Sequence, residues 1–391
     1  LGQGVMPIIG YNGPSDCNTM TNTDATKRSA VGGIDNLLDG EDGERVFGLV
    51  KDLGINVFSS MVHEVGNDYD DSSRMLKMAD KYGLGVFINN AYINDASSVA
   101  EQLSPQTAKY ESFGSFYGYY VADEPKYSEI NNFATTLDTL KNKVNIASYF
   151  NMFSVNASST SIGTGDYAAY LNRAAATSAE TMSYDLYLRG KSYKYIGASA
   201  EIKTSDFYKN LDQARTISMN ASKPFQAFVQ TGANWIDNTT NDKVDSSNKL
   251  TIQEMYLEAN AALAMGAKGI HYFTLIESAD QVKNGDDYSG LITVNGQANN
   301  NEDGNYAYYN AAKKINTYIA KVDEVLMNAT SKGVITNSTI QGYMSADDTK
   351  LTSYGAVTSV TGTNAFVGCF DYYGKNAYMV VNTSTSASET I

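Results

Sequence analysis

Two adjacent carboxyl side chains, Asp123 and Glu124, are the residues of this sequence best suited to acid–base chemistry. They follow an apolar run at 119–122 and precede Pro125. Because proline disfavours the right-handed helical conformation in the residue before it, we expect Glu124 to end a strand without running directly into a helix. Neighbouring carboxylates and burial both raise a carboxyl pKa, which lets a Glu act as a general acid near neutral pH. The structural alternative is that the two acids cap the next helix or pair with Lys126.

The elements that must position these acids follow a repeating pattern of short apolar runs and helical stretches. Such alternation is typical of a parallel sheet with crossover helices. The predicted strands are Val5–Tyr11, Ile55–Met61, Gly85–Asn89, Phe116–Ala122, Val144–Asn151, Thr181–Tyr187, Pro224–Gln230 and Gly269–Ile276. Eight strands make a TIM barrel, and no Gly-x-Gly-x-x-Gly turn or Walker-type loop indicates a doubly wound sheet. We therefore predict an α/β fold with a (β/α)8 TIM barrel over residues 1–332.

The residues just past each apolar run are the candidates for ligand contact, because a TIM barrel builds its active site at the carboxyl ends of its strands. Acids, amides and aromatic residues occupy these positions. They comprise Tyr11, Asn12, His63, Asn90, Asp123, Glu124, Asn151, Tyr184, Asp185, Tyr187, Gln230, Trp235 and Glu277. Carboxylates and amides bind sugar hydroxyl groups, and an aromatic ring stacks on a sugar face. This rim predicts a carbohydrate substrate or ligand. His271, in contrast, falls within a strand and is predicted to be a core residue.

A second carboxyl group is normally needed to cleave a glycosidic bond, about 5–5.5 Å from the first for retention or roughly 6.5–9.5 Å for inversion. The seventh strand ends in Gln230, which cannot be a nucleophile. Asp185 and Glu277 remain as partners for Glu124, although Asp185 can instead hold a substrate hydroxyl and Glu277 can begin the following loop. A third possibility uses Asp123 to orient a 2-acetamido group that attacks its own anomeric carbon, which needs an amino-sugar substrate.

A family resemblance is carried by three short segments. Residues 118–125 resemble the fourth-strand G-Y-x-x-x-D-E-P motif of bacterial glycoside-hydrolase-like barrels. Residues 267–274, as an eighth strand, and 290–296, with the helix after them, are similar to the last barrel turn of β-galactosidase-like enzymes. The resemblance implies a (β/α)8 fold, glycosidase activity and the acid/base role for the glutamate of the motif. That clan usually has Asn before this glutamate, where this chain has Asp123, and a nucleophilic Glu where this chain has Gln230.

Two functions are compatible with these residues. The first is a glycoside hydrolase acting on a poly- or oligosaccharide, with Glu124 as general acid and Asp185, Glu277 or an acetamido group held by Asp123 completing the site. The second is a catalytically inactive carbohydrate-binding or surface-scaffold protein, which the missing strand-seven Glu motivates. A metal- or phosphate-dependent lyase is not favoured, because the rim lacks metal-ligand spacing and a Gly-rich phosphate loop. No metal and no cofactor is predicted.

The charge balance of 29 basic against 43 acidic residues gives a net charge of −14, which repels nucleic acid and anionic lipid alike. We expect neither as a partner, and no apolar run is long enough to predict membrane insertion. The two cysteines, Cys17 and Cys369, imply neither a disulfide framework nor a zinc site. The 29 tyrosines and abundant Ser, Thr and Asn are common outside the cell, which predicts a secreted or cell-surface protein.

The helical period ends near Gly333, and residues 333–391 are predicted to form the start of a small β-sandwich domain. Strands are predicted at Ile340–Met344, Phe366–Tyr372 and Ala377–Asn382, with a hairpin turn at 373–376. A Ser/Thr-rich tail follows the last strand, which predicts that this β-domain is incomplete and that further domains belong to the same polypeptide.

Overall fold

A closed barrel of eight parallel strands, in the order β1 to β8, forms the body of the protein. The computed structural model describes residues 4–14, 37–60, 69–89, 93, 96–144, 147–185, 187–188, 204–232, 250–277, 290–300, 307–362 and 364–386. The barrel strands are β1 Ile8–Tyr11, β2 Val57–Ser59, β3 Gly85–Ile88, β4 Phe116–Asp123, β5 Ala147–Met152, β6 Met182–Tyr184, β7 Phe225–Gln230 and β8 Ile270–Phe273. Each strand coincides with one of the predicted apolar runs, so the predicted TIM barrel is confirmed.

Helices connect the strands around the outside of the barrel. They are α1 Gly40–Asp52, α2 Tyr69–Tyr82, α3 Ser104–Tyr110, α4 Ile130–Val144, α5 Tyr167–Ala175, α6 Thr204–Ala221, α7 Ile252–Met265 and α8 Tyr308–Asn328. Helix α7 shows how the sequence sets such an element. Thr251 and Glu254 form a capping box at its start, and Gly266, with φ of 102°, ends it in the left-handed conformation. None of the helices within the described ranges has the length and apolar character that crossing a bilayer requires.

Aromatic side chains from alternate strand positions fill the inside of the barrel, because successive residues of a strand face opposite sides of the sheet. This inner cluster comprises Ile9, Tyr11, Val57, Phe87, Tyr120, Tyr149 and Phe228. His271 is fully buried beside it, stacked on Phe228 with ring centroids 4.6 Å apart. Its Nε2 lies 2.6 Å from the Oε1 of Gln226. The prediction that His271 is a core residue is confirmed, and burial lowers its pKa to about 3, so the ring stays neutral.

The C-terminal β-structure is a three-stranded antiparallel sheet in the order β11-β10-β9. Its strands are β9 Thr330–Thr336, β10 Ala365–Tyr372 and β11 Lys375–Asn382. Tyr373 and Gly374, both at positive φ, form the two-residue turn between β10 and β11. The two predicted strands on either side of this turn are confirmed.

The predicted strand Ile340–Met344 is wrong, because residues Ser338–Tyr343 form a short helix, α9. Asn337 explains the difference. Its side-chain oxygen accepts hydrogen bonds from the backbone N–H groups of Thr339 and Ile340, which is the N-cap arrangement that starts a helix. The short apolar run that predicted a strand therefore belongs to this short helix.

The sheet packs on the barrel helix α7. A Cβ at Gly368 of β10 would collide with the carbonyl oxygen of Ala264, so glycine permits this close approach. Phe366 and Phe370 of β10, with Met379 and Val381 of β11, belong to the same apolar core as the barrel helices. The sheet therefore buries one face against the barrel.

Buried polar groups on α6 also fix this end of the chain. The guanidinium of Arg215 donates to Ser331 Oγ at 2.9 Å and to Thr349 Oγ1 at 3.0 Å. One turn earlier, the carboxylate of Asp212 accepts from the backbone N–H groups of Ser345 at 2.7 Å and Ala346 at 3.1 Å. Since α6 is a barrel helix, these bonds attach β9 and the segment after it to the barrel.

We expect Arg215→Ala to lower the free energy of unfolding by about 2–4 kcal/mol, because it leaves the buried hydroxyl groups of Ser331 and Thr349 without a donor. Chemical denaturation followed by circular dichroism measures the change. The control is Lys313→Ala, which removes a solvent-exposed ion pair with Asp52 and should change stability by less than about 1 kcal/mol. Equal losses for the two variants would show that Arg215 does not anchor the sheet.

Candidate active site

Three carboxyl groups meet at the carboxyl-end rim of the barrel. Asp123 is the last residue of β4, Glu124 follows it, and Asp185 directly follows β6. The strand between β4 and β6 is β5, where Asn151 is in register with Asp123 on one side and with Ser183 on the other. The structure therefore brings together three of the four acids that the sequence offered as catalytic candidates.

A bulge in β4 turns Asp123 toward the barrel interior. Strict alternation would place Asp123 on the opposite face from Tyr120, three positions earlier. The register between β4 and β5 shifts between these two residues, and such a bulge re-aims the side chains that follow it. As a result, Asp123 accepts a hydrogen bond from Tyr11, a residue of the inner cluster, at 2.9 Å.

The buried residue Asn151 holds all three acids in place through its side chain and its backbone. Its Nδ2 donates to Asp123 Oδ1 at 3.2 Å, and its Oδ1 accepts from Ser183 Oγ at 3.1 Å. Its backbone carbonyl accepts the N–H of Glu124 at 2.9 Å. The side chain also hydrogen-bonds to Asp185. One amide residue thus sets the relative positions of the acids.

The backbone of Glu124 is in the left-handed region, with φ of 46°. The prediction that Glu124 leaves its strand without entering a helix is confirmed. A non-glycine residue in this region is strained by roughly 1–2 kcal/mol, and such strain is concentrated at functional sites. Helix α4 starts only at Ile130, and the carboxylate of Glu129 accepts the N–H of Lys126 at 2.7 Å in the turn before it. Asn12, on the rim after β1, also has a positive φ, of 61°.

Asp185 and Glu124 share a hydrogen bond between their side chains. Burial raises the pKa of Asp185 well above its usual range, and the negative charges of Glu124 and Asp123 raise it further. These effects favour the protonated form of the carboxyl pair, with one proton in the hydrogen bond between Asp185 and Glu124. Two like charges in contact are unfavourable, so one of two neighbouring carboxyl groups tends to stay protonated.

Asp123 is held from two sides by neutral donors. Tyr11 donates to its Oδ2, and Asn151 donates to its Oδ1. The pKa of Tyr11 is raised first by burial and then by the Asp123 charge, so the phenol keeps its proton and stays a donor. The hydroxyl of Tyr11 also lies 3.2 Å from that of Tyr120. Asp123 nevertheless remains exposed, which leaves its carboxylate accessible from the barrel mouth.

Three further predicted residues, Tyr184, Tyr187 and Gln230, present buried polar atoms without hydrogen-bond partners. The hydroxyl of Tyr187 is buried and unpartnered, and its pKa is raised by burial and then by the charges of Asp185 and Asp123, which lie nearby. Gln230 ends β7 and is buried; its Nε2 donates to the Gly232 carbonyl at 2.7 Å, but its Oε1 has no partner. Asp185 Oδ1 is also buried and unpartnered.

Other predicted residues have contacts within the protein. Tyr184 belongs to the outer core rather than the inner cluster and stacks on Phe225 with ring centroids 6.2 Å apart. Asn12 donates to the Ile276 carbonyl at 3.1 Å, which ties the end of β1 to the segment after β8. Glu277 is buried and accepts the N–H of Val294 at 3.2 Å. His63, Asn90 and Trp235 lie outside the described residues.

A buried carboxyl group that the sequence did not indicate, Glu258 on α7, lies behind the rim. Its two oxygens accept the N–H groups of Leu188 and Gln230, each at 2.6 Å. It therefore connects the segment that carries Tyr187 to the end of β7. Burial raises the pKa of Glu258 from 4.5 to about 8, against the opposing effect of the two backbone donors. The one signal for it in the sequence is a Glu between Leu257 and Ala259 in an apolar helix.

We expect Glu258→Gln to destabilise the protein by about 1–3 kcal/mol at pH 5, because either orientation of the amide sets its NH2 against a backbone N–H. The raised pKa means that the folded state binds this proton more tightly than the unfolded chain. The wild type is therefore stabilised fully below pH 4.5, and the stabilisation is lost as pH rises to about 8. Since the variant lacks this titration, its deficit should shrink toward pH 8. Urea denaturation at several pH values measures it.

The control for this prediction is Glu254→Gln on the same helix, since Gln serves as well as Glu in a capping box. A Glu258→Gln deficit that is the same at pH 5 and pH 8 would contradict the raised pKa of Glu258.

Within the described residues, no group of three or more His, Cys, Asp or Glu side chains is arranged to hold a metal ion.

Solved structures similar to this chain include glycoside hydrolases. A family 1 β-glucosidase from Thermotoga maritima is 11% identical, with 81% of this chain and 98% of that chain covered and a TM-score of 0.49. A GH5 enzyme from Streptomyces cattleya is 12% identical, with 80% and 81% covered and a TM-score of 0.49. A β-glucuronidase from Ruminococcus gnavus is 11% identical, with 79% and 49% covered and a TM-score of 0.47. No protein-family model and no curated protein matches the chain.

Proposed function

We propose that this chain is a glycoside hydrolase that cleaves O-glycosidic bonds in a poly- or oligosaccharide, with Glu124 as the general acid. The hydrogen bond between Glu124 and Asp185 carries the proposal. A glycosidic oxygen needs a proton as it leaves, and a hydrogen-bonded carboxyl pair that retains one proton can supply it. The left-handed backbone of Glu124, held by the Asn151 carbonyl, supports a functional position for this side chain.

The polar atoms at the barrel mouth support a sugar as the ligand. The exposed carboxylate of Asp123 accepts hydrogen bonds, the Tyr187 hydroxyl is an unpartnered donor, and Asp185 Oδ1 is an unpartnered acceptor. The ring of Tyr187 lies 5.7 Å from that of Phe273, which gives the mouth an aromatic surface beside these polar groups. Sugars combine hydroxyl groups with apolar ring faces, and this mixture suits both.

The test is incubation of the wild-type protein with a panel of plant, microbial and animal glycans, followed by analysis of released sugars by mass spectrometry. We expect product release from at least one class of glycan. The rate should fall on the alkaline side, because the Asp185–Glu124 pair then loses the proton that the leaving group requires.

The alternative is a catalytically inactive carbohydrate-binding or scaffold protein. Gln230 favours it, because an amide whose Nε2 is bonded to the Gly232 carbonyl occupies the end of β7 and cannot attack an anomeric carbon. Binding on a glycan array with no hydrolysis of any bound glycan would support this alternative, and released product would exclude it.

A further inference from the structure

The unpartnered hydroxyl of Tyr187 indicates which group a ligand must bring to this site. A buried hydroxyl without a hydrogen bond is unfavourable by about 1–3 kcal/mol, and at a functional site a ligand can supply the missing partner. Since the pKa of Tyr187 is raised, this phenol is a donor at any physiological pH. The ligand must therefore present an acceptor to Tyr187.

Asp123, in contrast, needs a hydrogen-bond donor from the ligand. Its carboxylate is fixed by Tyr11 and Asn151 and remains exposed at the mouth, so it can accept a further hydrogen bond from a ligand. The ring of Phe273 lies 5.7 Å from that of Tyr187 and 5.5 Å from that of Tyr11, which donates to Asp123, so a donor and an acceptor lie in the same part of the mouth. A secondary amide, with one C=O and one N–H, complements such a pair.

The other acids of the site are not placed to attack the anomeric carbon, so the substrate itself must supply the nucleophile. The carboxyl groups of a retaining pair stand on opposite sides of the anomeric carbon, whereas Asp185 and Glu124 are hydrogen-bonded to each other. Glu277 is buried against the backbone of Val294, and β7 ends in Gln230. Asp185 and Glu277 are thus both engaged by groups of the protein, which favours a nucleophile supplied by the substrate.

We propose that the sugar cleaved by this site carries a 2-acetamido group, whose carbonyl oxygen acts as the nucleophile while Asp123 accepts the amide N–H and Tyr187 donates to the carbonyl oxygen. This inference rests on the hydrolase activity proposed above. The carbonyl oxygen bonds to the anomeric carbon as the glycosidic C–O bond breaks, and Glu124 gives its proton to the leaving oxygen. The resulting cyclic oxazolinium ion keeps its N–H on Asp123. Water then attacks the anomeric carbon, Glu124 takes a proton from it, and the ring opens to restore the acetamido group.

This step restricts the linkage as well as the sugar. The acetamido oxygen reaches the anomeric carbon only from the face opposite the leaving group, so the two substituents must be trans. In the gluco and galacto series the trans anomer is β. The site should therefore cleave β-linked 2-acetamido-2-deoxyhexosides with retention of configuration and leave their α-anomers intact.

The test compares aryl 2-acetamido-2-deoxy-β-glucosides and β-galactosides with the matching 2-hydroxy glycosides. We expect the acetamido substrates to react at least about 100-fold faster, because the nucleophile is already positioned within the substrate. Mono-, di- and trifluoroacetamido substrates should react progressively more slowly, because fluorine withdraws electrons from the attacking oxygen. Asp123→Asn should lower kcat by about 10²–10³-fold, since the amide N–H loses its anionic partner.

Tyr187→Phe should lower kcat for the acetamido substrates by about tenfold. Its control is Tyr208→Phe, which removes a hydroxyl that is likewise buried and unpartnered but lies near Phe366 of the C-terminal sheet. Tyr208→Phe should leave kcat unchanged. Equal losses in the two variants would overturn the role given to Tyr187.

The outcomes separate this inference from the function on which it rests. Equal rates on 2-hydroxy and 2-acetamido glycosides, both dependent on Glu124, would support the hydrolase activity. They would also show that the acetamido group is not the nucleophile. If no glycoside is cleaved, the proposed hydrolase activity is wrong. Binding of the stable 1,2-thiazoline derivatives of the same sugars then tests whether the site recognises the acetamido group. Calorimetric binding that Asp123→Asn and Tyr187→Phe both weaken would support the amide-binding pair, and absence of binding would overturn it.

Discussion

Replacing Glu124 by Gln should lower kcat for glycan hydrolysis by about 10²–10⁴-fold, the usual contribution of a general acid. The amide keeps the shape of the side chain and can still hydrogen-bond to Asp185, but it has no proton to transfer. The backbone bond from residue 124 to the Asn151 carbonyl does not involve the side chain, so the fold should be retained. The loss should be smaller for substrates with a nitrophenol leaving group, because that group departs without a proton. Steady-state kinetics on both kinds of substrate measure the difference.

The matched control is Glu129→Gln, five residues further along the same turn. Glu129 is exposed and accepts the N–H of Lys126, a role that an amide oxygen can fill. This variant should keep wild-type kinetics. A Glu124→Gln variant with the full rate on its natural glycan would remove Glu124 from the mechanism and with it the proposed function.

Asn151→Asp should produce the second large effect, because it places a fourth carboxyl group among Asp123, Glu124 and Asp185. An ionised carboxylate cannot donate to Asp123, and burial beside negative charges makes ionisation unfavourable. We expect the free energy of unfolding to fall by about 2–5 kcal/mol at pH 8. Hydrolysis should fall as well, since the Asn151 side chain donates to Asp123 and hydrogen-bonds to Asp185.

The pH dependence of this variant has a defined sign. A buried carboxyl with a raised pKa binds its proton more tightly in the folded state, so stability is greatest at low pH and is lost as pH rises. The deficit of Asn151→Asp should therefore be smaller near pH 5 than at pH 8, as measured by denaturant unfolding. Asn172→Asp, at an exposed position of α5, is the control and should change stability by no more than about 0.5 kcal/mol. A deficit that does not vary with pH would contradict a buried location for residue 151.

The barrel and the grouping of Asp123, Glu124 and Asp185 could be predicted from sequence because each depends on where an apolar run ends. The side of the sheet on which an individual side chain lies could not be predicted from the sequence. Tyr184 and Tyr187 both lie in the predicted sixth strand, but that strand ends at Tyr184, which faces the outer core. The bulge that turns Asp123 inward leaves no mark in the alternation of residues.

Contacts between residues far apart in the sequence could not be predicted either. Glu258 lies in a helix whose pattern indicates burial but not what its carboxylate meets, and the partners at Leu188 and Gln230 are 70 and 28 residues away. The strand predicted at Ile340–Met344 shows that a short apolar run does not distinguish a strand from one helical turn. The secreted or cell-surface location and the further domains stay predictions.

The tyrosines inside the barrel set an upper limit to the pH that the fold can tolerate. Burial raises the pKa values of Tyr11, Tyr120 and Tyr149 above the ordinary value of 10.0. The folded state keeps these protons where the unfolded chain releases them, so stability is lost as pH rises beyond that value. Three phenols that must stay neutral together make this loss steep. Alkali therefore acts on this barrel as a denaturant, and the Tyr11 hydroxyl that orients Asp123 is among the groups that set the limit.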